Sequence, residues 1–338
     1  MANRPMTAEE LLKHPEYDHT IWDLKPSQEG KAPVANGRGG PFNIAYEVHG
    51  HGNIHIVFIM GLGGMKYAWQ RHTKDFAHIQ ADTYSVLTMD NRGIGESDKP
   101  FFRYTTSDMA RDVVEVMDHV GWTGKRECHV AGVSMGGMIA QEVGFLENLY
   151  SRANLFIPKA IDVQIDNVKK NLFTEEWLNA PDTLEHVVKP FPTNGDRFAA
   201  NELWKRTHPE YFGKSGFFLQ AAAAWLHYKS PQDLAKMAET IGKKRIMVVH
   251  GTKDRMVTFP HGVVLWRGLE KGEGRTGKEN WLGIEEEKDI WEEGEIEKHF
   301  IKGQGHVLPF EMREEFGKWL EALFKRGEEL NKTEGIQR

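Results

Sequence analysis

The chain has 338 residues, with 43 Lys and Arg against 49 Asp and Glu, a formal charge of −6 and 40% hydrophobic residues. That composition supports a substantial core in one large domain or two small ones, and a slightly acidic chain with no basic patch excludes a general attraction to nucleic acid. A single cysteine, Cys128, excludes an intramolecular disulfide, and its place in an apolar run favours a buried packing role.

The first residues hold no signal-like apolar segment, and no run reaches the roughly 18 consecutive apolar residues of a membrane-spanning helix, so no membrane span and a cytoplasmic location are expected. The ending Gly335-Ile336-Gln337-Arg338 carries no lipidation or peroxisomal motif. Residues 1–40 mix charge, Pro and Gly and predict an extension with one short helix at 7–13, opened by Thr7 and an acidic first turn. The sheet is expected to begin at Asn43-Ile44-Ala45-Tyr46-Glu47-Val48 and to turn through Gly50-His51-Gly52 into pairing with His55-Ile56-Val57-Phe58-Ile59-Met60. That apolar strand empties into Gly61-Leu62-Gly63-Gly64, where flexible backbone could aim the Leu62 N–H at a developing oxyanion. The run Ser85-Val86-Leu87-Thr88-Met89 leads into Asp90-Asn91-Arg92-Gly93-Ile94-Gly95-Glu96-Ser97, in which Asp90 and Arg92 read as a buried pair that fixes the loop. Residues 107–120 place Met109, Ala110, Val113, Val114, Met117 and Val120 at helical spacing, closed by Gly121.

Next, an apolar run from Cys128 to Ala131 precedes Gly132-Val133-Ser134-Met135-Gly136 and a helix-compatible Gly137-Met138-Ile139-Ala140. A serine on a tight turn between strand and helix is a candidate nucleophile, and the glycines on either side are steric requirements of that turn. The Met135 N–H is the second candidate oxyanion donor. Further along, the buried strand Ile246-Met247-Val248-Val249 ends in His250-Gly251-Thr252-Lys253-Asp254, which puts the Asp254 carboxylate at a strand's carboxyl end as the candidate acid. Glu295-Ile296-Glu297-Lys298-His299-Phe300-Ile301 alternates as a strand does, and Gly303-Gln304-Gly305-His306 follows it with the candidate base, His306. His250 and His261 compete for that role and fit it less well, one inside the strand end and the other beyond the acid loop. Met312, Phe316, Trp319, Leu320, Leu323 and Phe324 mark a terminal amphipathic helix.

The order Ser134, Asp254, His306, the glycine loop at 61–64 and the Asp90–Ser97 loop together resemble the α/β-hydrolase family. The resemblance covers about residues 43–144 and 243–330. It implies an α/β-hydrolase fold, a mostly parallel twisted sheet flanked by helices, with strand-end loops carrying the site. It divides the chain into an N-terminal extension (1–40), a core (41–146 and 243–330), a helical cap insertion (147–242) and a charged surface insertion (271–293). The cap expectation rests on helix-like, aromatic-rich sequence that includes Phe191, Phe198, Trp204, Tyr211, Phe212, Phe217, Phe218 and Trp225. Two departures stand out. After the nucleophile helix the only nearby apolar run is Ala153-Asn154-Leu155-Phe156-Ile157, so either Leu155 to Ile157 form a shortened strand or the chain passes straight into the cap. The 52 positions from Asp254 to His306 exceed the usual strand-helix-strand passage. Met60 also stands where many relatives carry a histidine, a change the Leu62 backbone donor does not depend on.

The resemblance implies a cofactor-independent serine hydrolase that cleaves a carboxylic ester, thioester or lactone of a small, largely apolar substrate through an acyl-enzyme on Ser134. A serine in place of aspartate argues against epoxide hydrolases and haloalkane dehalogenases. Ser-Met-Gly-Gly also resembles the elbows of enol-lactonases, carbon–carbon bond hydrolases and perhydrolases, so carbon–carbon hydrolysis, acyl transfer or a non-catalytic ligand-binding homologue remain as alternatives. No metal or nucleotide is implied, since the chain has neither paired Cys or His ligand motifs nor a phosphate-binding GxxxxGK[ST] loop.

Overall fold

Strands β3 (Ile54–Ile59) and β4 (Tyr84–Met89) form the centre of the molecule, and their side chains alternate between two cores. Val57, Ile59, Leu87 and Met89 join one apolar cluster, while Ile56, Phe58, Tyr84 and Val86 join the other. A strand buried on both faces needs cover on both, and this sequence supplies it with helices. The structure is a computed structural model that describes residues 4–144, 161–274 and 293–336.

Around this centre lie β1 (Gln28–Val34), β2 (Phe42–Gly50) and β5 (Cys128–Gly132), giving a five-stranded sheet in the order β1-β2-β4-β3-β5. A second sheet pairs β6 (Met247–Gly251) with β7 (Glu297–Ile301). Pairings β3–β4, β3–β5 and β6–β7 are parallel, whereas β1–β2 and β2–β4 are antiparallel.

The helices are α1 (Ala8–Leu12), α2 (Gln70–Lys74), α3 (Thr106–His119), α4 (Met135–Gly144), α5 (Ile161–Leu172), α6 (Glu175–Asn179), α7 (Asn194–Thr207), α8 (Lys214–Trp225), α9 (Pro231–Ile241), α10 (Pro260–Lys271), α11 (Leu308–Glu311) and α12 (Arg313–Thr333). The expected cap on α1 is present, with Thr7 and Glu10 closing a reciprocal capping box. A second box, Thr105 with Asp108, opens α3. Helix α12 ties the two sheets together. Its Glu328 lies 2.8 Å from His129 of β5, and its Trp319 stacks on His299 of β7 with ring centres 4.1 Å apart.

Three expectations are corrected. The sheet begins at Gln28 and not at Asn43, because β1 pairs along its whole length with β2. Its polar start and Pro33 disguise it, and both suit a strand with only one partner, where a missing N–H and exposed side chains cost little. Nor do β2 and β3 form a hairpin through Gly50 to Gly52. β4 lies between them and pairs with both. Close backbone approach explains the glycines instead, since a Cβ on Gly52 would sit 2.0 Å from the Thr83 carbonyl carbon. Cys128 is half-buried rather than buried and packs beside the α3–α4 core. The proposed short strand at 155–157 lies outside the described residues, as does most of the charged stretch 271–293.

Candidate active site

The GxSxG segment folds as a tight elbow from β5 into α4. Ser134 has φ +57°, a left-handed conformation that a side-chain-bearing residue adopts only when its surroundings enforce it. The enforcing contacts are backbone on backbone. A Cβ on Gly132 would lie 2.1 Å from the Gly136 oxygen, and one on Gly136 would lie 2.2 Å from the Ile59 oxygen. Gly136 N–H donates to the Val133 carbonyl at 2.8 Å, closing the turn.

Asp254 follows β6 and His306 follows β7, so the parallel pairing of these strands brings two loops 52 residues apart into register. Three side chains join in series. Asp254 Oδ2 is 2.7 Å from His306 Nδ1, and His306 Nε2 is 2.8 Å from Ser134 Oγ. Burial alone would raise the Asp254 carboxyl, but hydrogen bonds from His250 and His306 hold it well below the ordinary aspartate range. An ionised carboxylate only accepts, so His306 Nδ1 carries the proton and Nε2 is left to accept from the Ser134 hydroxyl. Asp254 Oδ1 is fixed separately, accepting the N–H groups of Met256 and Val257 at 2.8 Å each.

The His306 loop is anchored from three directions. His306 N–H donates to the Leu172 carbonyl at 2.9 Å at the end of α5, and Lys253 N–H donates to the Gln304 carbonyl at 2.9 Å. Glu311 accepts from Gly305 N–H at 3.1 Å and from Thr174 N–H at 2.9 Å, and its burial raises its carboxyl above the usual range.

The glycine loop after β3 lies against the elbow. A Cβ on Gly61 would meet Ser134 Cβ at 3.0 Å and Met135 N at 3.6 Å, so Gly61 permits the approach. Leu62 and Met135 belong to one apolar cluster there. The Asp90–Ser97 loop buttresses this region, although not through an Asp90–Arg92 pair. Asp90 accepts N–H bonds from Lys66 at 2.8 Å and Glu96 at 3.0 Å, and Arg92 is paired with Asp112 of α3 at 2.5 and 2.6 Å. Both residues hold structure, each with a different charged partner: the Lys66 ammonium lies 3.5 Å from Asp90, and Asp112 supplies the carboxylate to Arg92.

Three contributors carry no local sequence signal. His250 Nε2 sits 3.3 Å from Asp254 Oδ2 and 2.8 Å from the Val257 carbonyl; facing two acceptors, it must carry a proton. Glu311 shapes the histidine loop as described. Gln220 of α8 reaches the glycine loop, where its Oε1 accepts from Gly63 N–H at 3.0 Å. The other competitor, His261, contacts Thr258 at an exposed position. A separate cavity of about 460 Å³, bordered by Glu47, Lys66, Tyr67, Asp90, Trp204 and Tyr211, includes none of Ser134, Asp254 and His306 in its lining. Among the described residues, no group of three or more His, Cys, Asp or Glu is placed to hold a metal ion, and no helix is long and apolar enough to cross a membrane.

Comparison with known proteins agrees with this architecture. The family model for the alpha/beta hydrolase fold matches residues 54–143. The chain is 28% identical over 136 residues to the "Putative carbamate hydrolase RutD" of Azorhizobium caulinodans, a match spanning 37% of this chain and 48% of that one. It is 29% identical over 125 residues to a 3-oxoadipate enol-lactonase of Acinetobacter baylyi, spanning 37% and 41% of the two chains. The chain thus spans about half the length of the curated relatives it matches. Among solved structures, the meta-cleavage product hydrolase of Pseudomonas fluorescens superposes with a TM-score of 0.60 at 14% identity, covering 88% of this chain and 97% of that one. The elbow, the strand order and these likenesses together show the α/β-hydrolase fold.

Proposed function

We propose that the chain is a serine hydrolase acting on a small carboxylic ester, thioester or lactone, with Ser134 as nucleophile, His306 as general base and Asp254 as the acid that orients it. The observation that carries this reading is the Ser134–His306–Asp254 relay, with links of 2.8 and 2.7 Å and the serine held on a left-handed turn. In the first half-reaction Ser134 Oγ attacks the substrate carbonyl carbon while its proton passes to His306 Nε2. The resulting imidazolium is stabilised by the Asp254 carboxylate, and the Leu62 and Met135 N–H groups receive the negative oxygen. Collapse breaks the bond to the leaving alkoxide, thiolate or ring oxygen, which takes the proton from His306. Water then gives a proton to His306 and attacks the acyl-enzyme, releasing the acid and restoring Ser134.

Helices α5–α9 supply the cap over this site in our reading, and contacts of α7 and α8 with Gly63 support it. The aromatic residues Phe212 and Phe217 crowd the same glycine, which fits a largely apolar small substrate. The likeness to an enol-lactonase supports a lactone or ester among the candidate bonds. Turnover of short p-nitrophenyl esters and of simple lactones by purified protein, beside Ser134→Ala, tests the reading. Hydrolysis that drops by several orders of magnitude in the variant supports it. Hydrolysis unchanged in the variant would refute it.

A further inference from the structure

The two peptide units that flank Gly63, immediately after Leu62, are each held by the helical segment between the two halves of the core. Gln220 of α8 is fully buried, with 0% exposure. Its Oε1 accepts from Gly63 N–H at 3.0 Å, and its Nε2 donates to the Arg92 carbonyl at 2.9 Å. From α7, Lys205 Nζ donates to the Gly63 carbonyl at 3.3 Å, and Glu202 holds that ammonium at 2.5 Å. Gly63 has φ +65°, and a Cβ there would lie 2.8 Å from Phe217 and 3.3 Å from Phe212. Its N–H and C=O therefore each have a polar partner from the helical segment, while aromatic rings close the space beside it.

The attachment extends to the neighbouring loop. Gly95 N–H donates to the Tyr211 carbonyl at 2.8 Å, and a Cβ on Gly216 would fall 1.8 Å from the Gly93 oxygen. Gln220 is thus the single side chain, among these contacts, that bonds both the glycine loop and the Asp90–Ser97 loop. A polar side chain excluded from water costs stability unless both its ends are bonded, and here both ends are spent on loop backbone rather than on the helix layer itself. The same two bonds fix the direction of the chain immediately after Leu62.

We propose that Gln220 and Lys205 are positioning residues that make the oxyanion hole dependent on the seating of the cap: when α7 and α8 are docked, the Gly63 peptide is fixed and the Leu62 N–H points at the reacting carbonyl oxygen. This rests on the serine hydrolase reading of the site. An oxyanion donor contributes only when aimed at the place the charge develops, and deleting one such donor generally costs about 10²–10³-fold in kcat. Loosening its support costs less. A cap that lifts to admit substrate would release Gly63, so the hole forms fully only after closure.

The test compares Gln220→Met, Gln220→Glu and Lys205→Met with the parent protein on the best p-nitrophenyl ester, measuring kcat, KM, melting temperature and the inhibition constant of a trifluoromethyl ketone of matching acyl chain. Gln220→Met keeps the volume and loses both bonds; it is expected to lower kcat about 10–100-fold with KM within about threefold, and to weaken the ketone in proportion to kcat. Gln220→Glu keeps the acceptor for Gly63 N–H and, protonated at this fully buried position, a donor for the Arg92 carbonyl, so it is expected to recover part of that loss. Lys205→Met releases the carbonyl side and is expected to show the same kcat-specific pattern, which keeps the proposal testable if Gln220→Met does not fold. Unchanged kcat in folded Gln220→Met or Lys205→Met, or losses that track melting temperature and appear equally in Glu and Met at position 220, would overturn the clamp. If the parent protein itself shows no Ser134-dependent turnover, the serine hydrolase reading has failed instead.

Discussion

His250 and His306 address the same oxygen of Asp254, His306 Nδ1 at 2.7 Å and His250 Nε2 at 3.3 Å. The acid is consequently held between two imidazoles, while the backbone of Met256 and Val257 holds its other oxygen. Replacing His250 with Phe keeps a ring but removes the N–H. The Asp254 carboxylate should then hold the His306 imidazolium in a less defined geometry, lowering kcat about tenfold with little change in KM. Steady-state kinetics of His250→Phe beside His250→Asn, which retains a donor, checks this.

The depressed Asp254 carboxyl has a consequence for acid stability. Its folded pKa lies below its unfolded value of about 3.9, so between the two the unfolded chain binds more protons and stability rises with pH. The contribution is complete above the unfolded value and is lost as pH falls below about 4 towards the folded value. Urea unfolding at pH 6 and at pH 3 should therefore show a smaller acid loss in Asp254→Asn than in the parent. An equal loss in both contradicts the assignment.

The elbow glycines allow no side chain. Gly136→Ala would drive a methyl group towards the Ile59 oxygen from 2.2 Å, and both partners are backbone, so neither can swing aside. The expected cost is about 1–3 kcal/mol of stability with the elbow displaced and activity reduced at least about 100-fold. Gly137→Ala is the control, because a Cβ there comes no closer than 3.3 Å to any neighbour. Thermal melts and ester turnover of the two variants separate the cases.

These glycines and the relay were legible in the sequence because each signal is local: an apolar strand, then a loop with a distinctive residue at its carboxyl end. What escaped is set by partners distant along the chain. β1 hides behind Pro33 and exposed polar residues, and only its ladder with β2 reveals it. The insertion of β4 between β2 and β3 is a long-range pairing that a glycine-rich connection cannot announce. Arg92 finds Asp112 one helix later, and Gln220 lies on the alanine-rich α8 with no pattern to mark it. In the sequence His250 reads as a strand-end residue, and only the fold of the loop after β6 turns its Nε2 towards Asp254.

A buried ion pair joins α4 to the connection between α8 and α9. Lys229 Nζ lies 2.8 Å from Glu142 Oε2, each side chain only 2% exposed, and His227 Nδ1 lies 3.3 Å from the other carboxylate oxygen. Burial opposes the Glu142 charge, but hydrogen bonds from His227 and Lys229 bring its carboxyl below the usual range. Lys229→Met strands a carboxylate and should cost about 3–5 kcal/mol, whereas Lys229→Met with Glu142→Met should recover much of it. Chemical denaturation of both variants measures the difference.

Covalent labelling reads the nucleophilicity of Ser134 without needing its substrate. Intact-mass and peptide mapping after exposure to a fluorophosphonate should find one adduct, on the peptide containing Ser134. It should be absent from Ser134→Ala and strongly slowed in His306→Ala, whose serine has lost the imidazole 2.8 Å away. An adduct that persists in Ser134→Ala, or a parent protein that forms none while remaining folded, contradicts the account.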